Sequence, residues 1–216
     1  MDRLPVNLWR TILRDSSDDL PLLRLDHAGP PFRPRAAFLA NVSLVCRRWH
    51  EAVRPLLLCD ISVTKEKQLR LLAALLEKQP ALSALPTSLK IVWTADTGSV
   101  RRDGAKKWRL ATRRFAATCT QLLRVEIDGP LASFSGEMAA YFDVSWVEPA
   151  AATLTHLRLS RLRLSSYPEI SHVRLTAVQS LVIEQCASLD AAEPSFDVFR
   201  GHFPSAQIIG STLPPA

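Results

Sequence analysis

Glycine is scarce in this chain, with seven in 216 residues, and none of them falls into a pattern that catalysis or nucleotide binding requires. There is no Gly-x-Ser-x-Gly turn to strain a nucleophilic serine, no Gly-x-x-x-x-Gly-Lys cradle for phosphate and no Gly-x-Gly-x-x-Gly for a dinucleotide. Cysteine is as sparse. Cys46, Cys59, Cys119 and Cys186 stand far apart among apolar neighbours, which argues against a disulfide framework and reads as small buried hydrophobes in a reducing compartment. No Cys-x-x-Cys occurs, and His27, His50, His156, His172 and His202 lack the i, i+4 pairing that sets two imidazoles on one helix face, so no metal site and no cofactor is expected. Asp18-Asp19 are paired acids without an apolar pocket to separate their ionisation, and read as turn residues. Eighteen apolar residues never follow one another, and Met1 to Pro5 lack the basic start and apolar run of a signal peptide. Membrane spanning and secretion are therefore not expected, and the cytoplasm, the nucleus or both are. With no constellation asking for an enzyme, the expectation is a non-catalytic protein.

What is present is apolar periodicity in a chain that is 47% hydrophobic and 22% charged, long enough for a small module joined to a larger domain. Pro5 suits the first position of a helix, where its missing N–H would have no intrahelical partner, and Leu4, Leu8 and Ile12 follow on one stripe. Leu39, Val42, Val45, Cys46, Trp49, Val53 and Leu57 recur at spacings of three and four, opposite Arg47, Arg48, Glu51 and Arg54, which predicts a second amphipathic helix. Two short helices have too little interior to hide all of these side chains, so an exposed apolar patch, and with it a partner, is expected.

Leu4-Pro5-x-x-Leu8, Ile12-Leu13, Val42-x-x-Val45-Cys46-Arg47-Arg48-Trp49 and Pro55-Leu56-Leu57-Leu58 resemble the F-box, the helical module by which substrate adaptors attach to the Skp protein of cullin-based ubiquitin ligases. The resemblance covers roughly the first quarter of the chain. It implies a docking surface made of Leu4, Pro5, Leu8, Trp9, Ile12, Leu13, Leu39, Val42, Ser43, Val45, Cys46 and Trp49, with the Skp protein and, through it, a cullin as partners. Residues 14–35, with Asp18-Asp19, Pro21, Gly29-Pro30-Pro31 and Pro34, form a longer and more proline-rich connection than the family's usual one. The alternative is an ordinary helical hairpin capping a larger core.

Beyond this start, alternating segments predict strands with one buried face: Cys59-x-Ile61-x-Val63, Leu89-x-Ile91-x-Trp93, Val125-x-Ile127, Leu157-x-Leu159 and Leu181-x-Ile183. Helical patterns lie between several of them, over Lys65 to Gln79 and over Lys106 to Gln121. Leu154-x-x-Leu157-x-Leu159 and Val178-x-x-Leu181-x-Ile183-x-x-Cys186 resemble leucine-rich repeats, in which Cys186 takes the position of the Asn or Cys that turns the backbone; Leu122 to Ile127 matches the opening of the same template, and the pattern resumes over Phe203 to Ile209. An open α/β sheet of unrelated units is the alternative. The expected fold is α/β, with an F-box-like helical module at 1–58, an irregular leucine-rich-repeat-like solenoid of parallel strands and outer helices at 59–210, and a loose tail at 211–216.

In that register the open, concave face shows Ser62, Lys90, Val92, Arg124, Glu126, Asp128, His156, Arg158, Ser160, Ser180, Val182 and Glu184, of which Arg124, Glu126, His156, Arg158 and Glu184 are the candidates for binding a target protein. The expected function is a substrate-recognition adaptor of a Skp-cullin-F-box ligase. A scaffold outside any ligase is the alternative. Arg101 to Arg114 holds seven basic residues and one acid, against a net charge of +6; nucleic-acid contact is a minor alternative, because no aromatic residues alternate on the basic side for base stacking.

Overall fold

The computed structural model describes residues 8, 11, 34–93, 102–129, 141–164, 173–188 and 201–211. The chain divides into two compact units, Met1–Ile61 and Ser62–Ala216.

In the first unit, α1 (Pro34–Ser43) and α2 (Arg47–Cys59) form a helical hairpin. The single helical stripe expected across residues 39–57 is broken at Leu44, Val45 and Cys46. The Ser43 hydroxyl donates to the Ala40 carbonyl at 2.6 Å, the N–H groups of Leu44 and Val45 bond three residues back to Asn41 and Val42, and Cys46 is fully extended. A hydroxyl that competes for the last carbonyls and tighter three-residue bonds end a helix in this way. The helix restarts when the Cys46 carbonyl accepts from the His50 N–H. Pro34, counted with the linker above, opens α1 at a position where no donor is needed. Pro55 lies inside α2, and Cys59, read as the start of a strand, is instead the last helical residue. Leu39, Val42, Ala52, Val53 and Leu56 make the hairpin's interior, with Phe38, Trp49 and Leu57 packed against it.

A parallel sheet has six strands in the order β1 (Asp60–Val63), β2 (Ser88–Val92), β3 (Arg124–Asp128), β5 (His156–Ser160), β7 (Ser180–Glu184) and β9 (Gln207–Ser211), of which β1 spans the boundary between the units and the other five lie in the second. From β2 onward the strands run in one register: Leu89, Val125, Leu157, Leu181 and Ile208 lie side by side, as do Ile91, Ile127, Leu159 and Ile183. The first four of each set are buried, and each such aliphatic side chain contributes about 1.5–3 kcal/mol of transfer free energy. Backbone bonds repeat in step before the strands, where the carbonyls of Thr87, Leu123 and Thr155 each accept two N–H groups from the next repeat. They repeat again beyond the strands, from Trp93 to Asp128, Gly129 to Ser160 and Arg161 to Glu184.

The connections are α3 (Glu66–Lys78) and α4 (Arg102–Thr118) in the first two crossovers. The Gln68 side-chain carbonyl accepts the N–H groups of Thr64 and Lys65 to start α3, and Pro80 follows its end. Helix α4 begins before Lys106 and stops at Thr118, short of the expected Gln121, and Leu122 is buried in the approach to β3. Leu69, Ala73 and Leu76 on α3, with Trp108, Ala111 and Phe115 on α4, are buried and supply cover for the apolar face of the sheet. Among the described residues no α-helix follows β3. The third crossover holds two 3₁₀ turns, Val144–Trp146 and Glu148–Ala150, and a second parallel sheet forms from β4 (Tyr141–Phe142), β6 (Arg163–Leu164) and β8 (Ala187–Ser188).

Candidate functional site

The hairpin spends its apolar side chains in two ways. Leu39 at 1% exposure and Val42 at 8% are interior, whereas Leu44 at 83% and Val45 at 63% stand in water. Cys46 beside them is exposed, and so is Leu8 at 45%. The break between α1 and α2 causes this division, because it turns three consecutive residues away from the stripe that packs. Of the other expected docking residues, Ser43 is bonded to Ala40 and Trp49 is half-buried against the core. Leu4, Pro5, Trp9, Ile12 and Leu13 lie outside the described residues. Leu44 was not among the residues singled out from sequence, since it falls off the three-and-four stripe and only the helix break exposes it.

The second surface is the polar face of the six-stranded sheet. Arg124, Glu126, His156, Arg158 and Glu184 all project from it, because residues two apart on a strand share a face and their neighbours Val125, Ile127, Leu157, Leu159, Leu181 and Ile183 are buried. Val92, expected on the same face, is buried at 7%. Charges here are matched across strands. Lys90 Nζ lies 3.3 Å from Glu126, Arg158 Nη2 2.8 Å from Glu184, and Arg161 Nη2 2.5 Å from Asp128. The hydrogen bond from Arg158 to Glu184 raises the guanidinium's pKa above its ordinary value, against a smaller opposing effect of burial. Arg161 was not legible as part of this face. It lies beyond β5 with a positive φ of 57°, and that left-handed backbone turns its side chain onto Asp128, where Nε also donates at 2.7 Å. Gln185 takes the same conformation after β7, at φ 52°.

Three of the five described basic side chains of the basic segment are paired within the α/β unit. Arg109 lies 3.6 Å from Asp143, Arg113 3.0 Å from Glu148 and Arg114 2.5 Å from Glu77. The bond donated by Arg114 lowers the Glu77 pKa. Lys106 and Lys107 are exposed on α4.

The four cysteines are unpaired thiols. Burial pushes Cys119 up to about 12 and Cys186 up to about 11, so neither supplies thiolate near neutral pH. Alkylation by iodoacetamide at pH 8 is expected to label Cys46 promptly and to reach Cys119 and Cys186 only as the chain unfolds, with mass mapping of the labelled peptides as the readout. The raised values also carry a sign. The unfolded chain loses these protons from about pH 9 while the folded chain keeps them, so stability is expected to fall as pH rises from about 9 toward 11. Among the described residues no group of three or more His, Cys, Asp or Glu could hold a metal ion, and no helix is long and apolar enough to cross a membrane. Comparison of the chain with protein-family models and with curated protein sequences finds no match.

Proposed function

We propose that this chain is a non-catalytic adaptor that docks the Skp protein of a cullin-based ubiquitin ligase through its helical hairpin and holds a target protein on the polar face of its sheet, acting in the cytoplasm, the nucleus or both. The observation that carries the reading is the outward display of Leu44, Val45 and Cys46 by a hairpin whose Leu39, Val42, Ala52, Val53 and Leu56 are packed inside, in the stretch where the sequence resembles an F-box. Exposed aliphatic side chains grouped at one turn cost solvation unless a partner covers them. The leucine-rich-repeat reading of the second unit is supported by the common register of its strands. It is supported also by Cys186, whose buried thiol donates to the carbonyls of Leu159 at 3.5 Å and Glu184 at 3.4 Å, the work of the turning residue in that template.

The test is capture of the intact chain by immobilised Skp protein. Val45→Asp is expected to weaken capture at least about ten-fold, since a few central side chains carry most interface energy, while leaving thermal unfolding nearly unchanged because Val45 touches no interior. Leu39→Ala should do the reverse to the fold, costing about 2–5 kcal/mol of hairpin stability. Saturating Skp protein should also shield Cys46 from iodoacetamide. A folded intact chain that is not captured, or a Val45→Asp chain captured as well as the parent, would overturn the ligase reading.

A further inference from the structure

The common register arranges the polar face in rows across the strands. The row at the strand starts holds Ser88, Arg124, His156, Ser180 and Gln207, and contains no carboxylate. Further along, Lys90, Arg158 and Arg161 are each paired with one of Glu126, Glu184 and Asp128, so that part of the face neutralises itself. Arg124 is left over. It is exposed, its guanidinium has no ion pair or hydrogen bond among the described residues, and it stands beside His156 in register.

The orientation of His156 follows from its neighbour. The Thr155 hydroxyl lies 3.0 Å from the Leu123 carbonyl, to which it donates, and 2.8 Å from His156 Nδ1. Having given its one proton to the carbonyl, the hydroxyl accepts from Nδ1–H, which leaves Nε2 to meet a ligand and to donate to a carboxylate when the ring carries both protons. On the same face, Val182 and Ile209 lie side by side on β7 and β9, and Ile209 is 55% exposed. An unpaired guanidinium next to an imidazole is thus followed, two strand spacings across and two residues along the strands or roughly 12 Å away, by an aliphatic pair.

We propose that the polar face binds an extended protein segment in which an acidic side chain seats on Arg124 and His156 and an aliphatic side chain about three to four residues away seats on Val182 and Ile209. Charge complementarity selects this occupant. The cation that the face does not neutralise internally is supplied with an anion, and a guanidinium grips a carboxylate through two parallel bonds. The inference rests on the reading of this face as the target surface, and is independent of what the hairpin docks.

The probe is a fluorescein-labelled twelve-residue peptide of glycine and serine carrying one Glu and, three residues on, one Leu, titrated with the full chain and followed by anisotropy. Saturable binding is expected, weakened at least ten-fold when the peptide's Glu is replaced by Gln. Arg124→Gln should weaken binding of the Glu peptide by a similar factor and remove the difference between the Glu and Gln peptides, and Ile209→Ser should weaken it several-fold. Unchanged thermal unfolding identifies these as surface effects. A phosphoserine peptide bound at least as tightly, with the same dependence on Arg124, would place phosphorylated segments within the proposal. No saturable binding, equal binding of the Glu and Gln peptides, indifference to Arg124→Gln, or tighter Arg124-dependent binding of oligo-dT would overturn it. A chain that captures Skp protein but not the peptide overturns this inference alone, and one that binds the peptide but not Skp protein overturns the ligase reading alone.

Discussion

Trp146→Ala is expected to lower the stability of the α/β unit by about 3–5 kcal/mol, the cost of truncating a fully enclosed large aromatic side chain. Trp146 has no exposed surface. Its ring lies 6.5 Å from that of Trp93 and 5.6 Å from that of Phe142, and Trp93 in turn lies 6.2 Å from Trp108, all tilted rather than stacked face to face. Tilted pairs at these separations add about 0.5–1.5 kcal/mol beyond the area they bury. The four rings come from four places in the chain: the exit of β2, helix α4, strand β4 and the 3₁₀ turn at Val144–Trp146. The truncation therefore loosens the joint between the second and third crossovers. Asp143 holds the same joint from its polar side. Buried completely, it caps the 3₁₀ turn by accepting from the Ser145 N–H at 2.9 Å and from the Ser145 hydroxyl, with Arg109 beside it. Urea unfolding monitored by circular dichroism gives the measurement. Trp146→Phe should lose appreciably less than Trp146→Ala, and an alanine variant within about 1 kcal/mol of the parent would mean that the ring cluster does not organise this core.

The strands of the α/β unit were legible because alternation reports burial directly. Leu157-x-Leu159 and Leu181-x-Ile183 could form a half-buried strand only with His156, Arg158, Ser180, Val182 and Glu184 on the other face, and that is where these residues lie. The candidate face followed from the same period. What was not legible depends on competition between local options. The stripe from Leu39 to Leu57 satisfies a helix at every step, yet the Ser43 hydroxyl and the extended Cys46 interrupt it, and periodicity does not register a side chain that bonds its own backbone. Pro55 does not interrupt the stripe, since α2 runs on through it to Cys59. Arg161 joins the polar face only through a left-handed backbone that nothing in an arginine announces. The two-residue strands β4, β6 and β8 are too short for any period; they exist because the main register brings the segments after β3, β5 and β7 alongside one another.

That register has a narrow point at Gly129, and Gly129→Ala is expected to cost about 3 kcal/mol. Gly129 follows β3 and donates its N–H to the Ser160 carbonyl at 2.8 Å, which draws the backbone close to the turn after β5. A methyl group at position 129 would lie 2.4 Å from the Arg161 carbonyl oxygen and 2.7 Å from Leu162 Cδ2. Leu162 could rotate, but the carbonyl belongs to the backbone of a residue already held at positive φ. Relief therefore requires the two repeats to part, which loses the Gly129 bond and overpacks the fully buried Leu162; overpacking alone costs about 1–3 kcal/mol, and a buried backbone bond about 1 kcal/mol more. The displacement should reach the surface, because Arg161 is the partner of Asp128. Asp128 would then lose its cation, and the face that carries the peptide site would gain a free carboxylate four residues along β3 from Arg124, about 13 Å away. In a chain that remains folded at low temperature, Gly129→Ala is thus expected to weaken the acidic peptide beyond its effect on stability, whereas Trp146→Ala should reduce binding only in proportion to the fraction unfolded. Urea midpoints for both variants, set beside peptide anisotropy at 10 °C, separate the two effects. A Gly129→Ala chain as stable as the parent would show that the turn after β5 can move aside without cost, and that the left-handed Arg161 is not fixed by the close approach of Gly129.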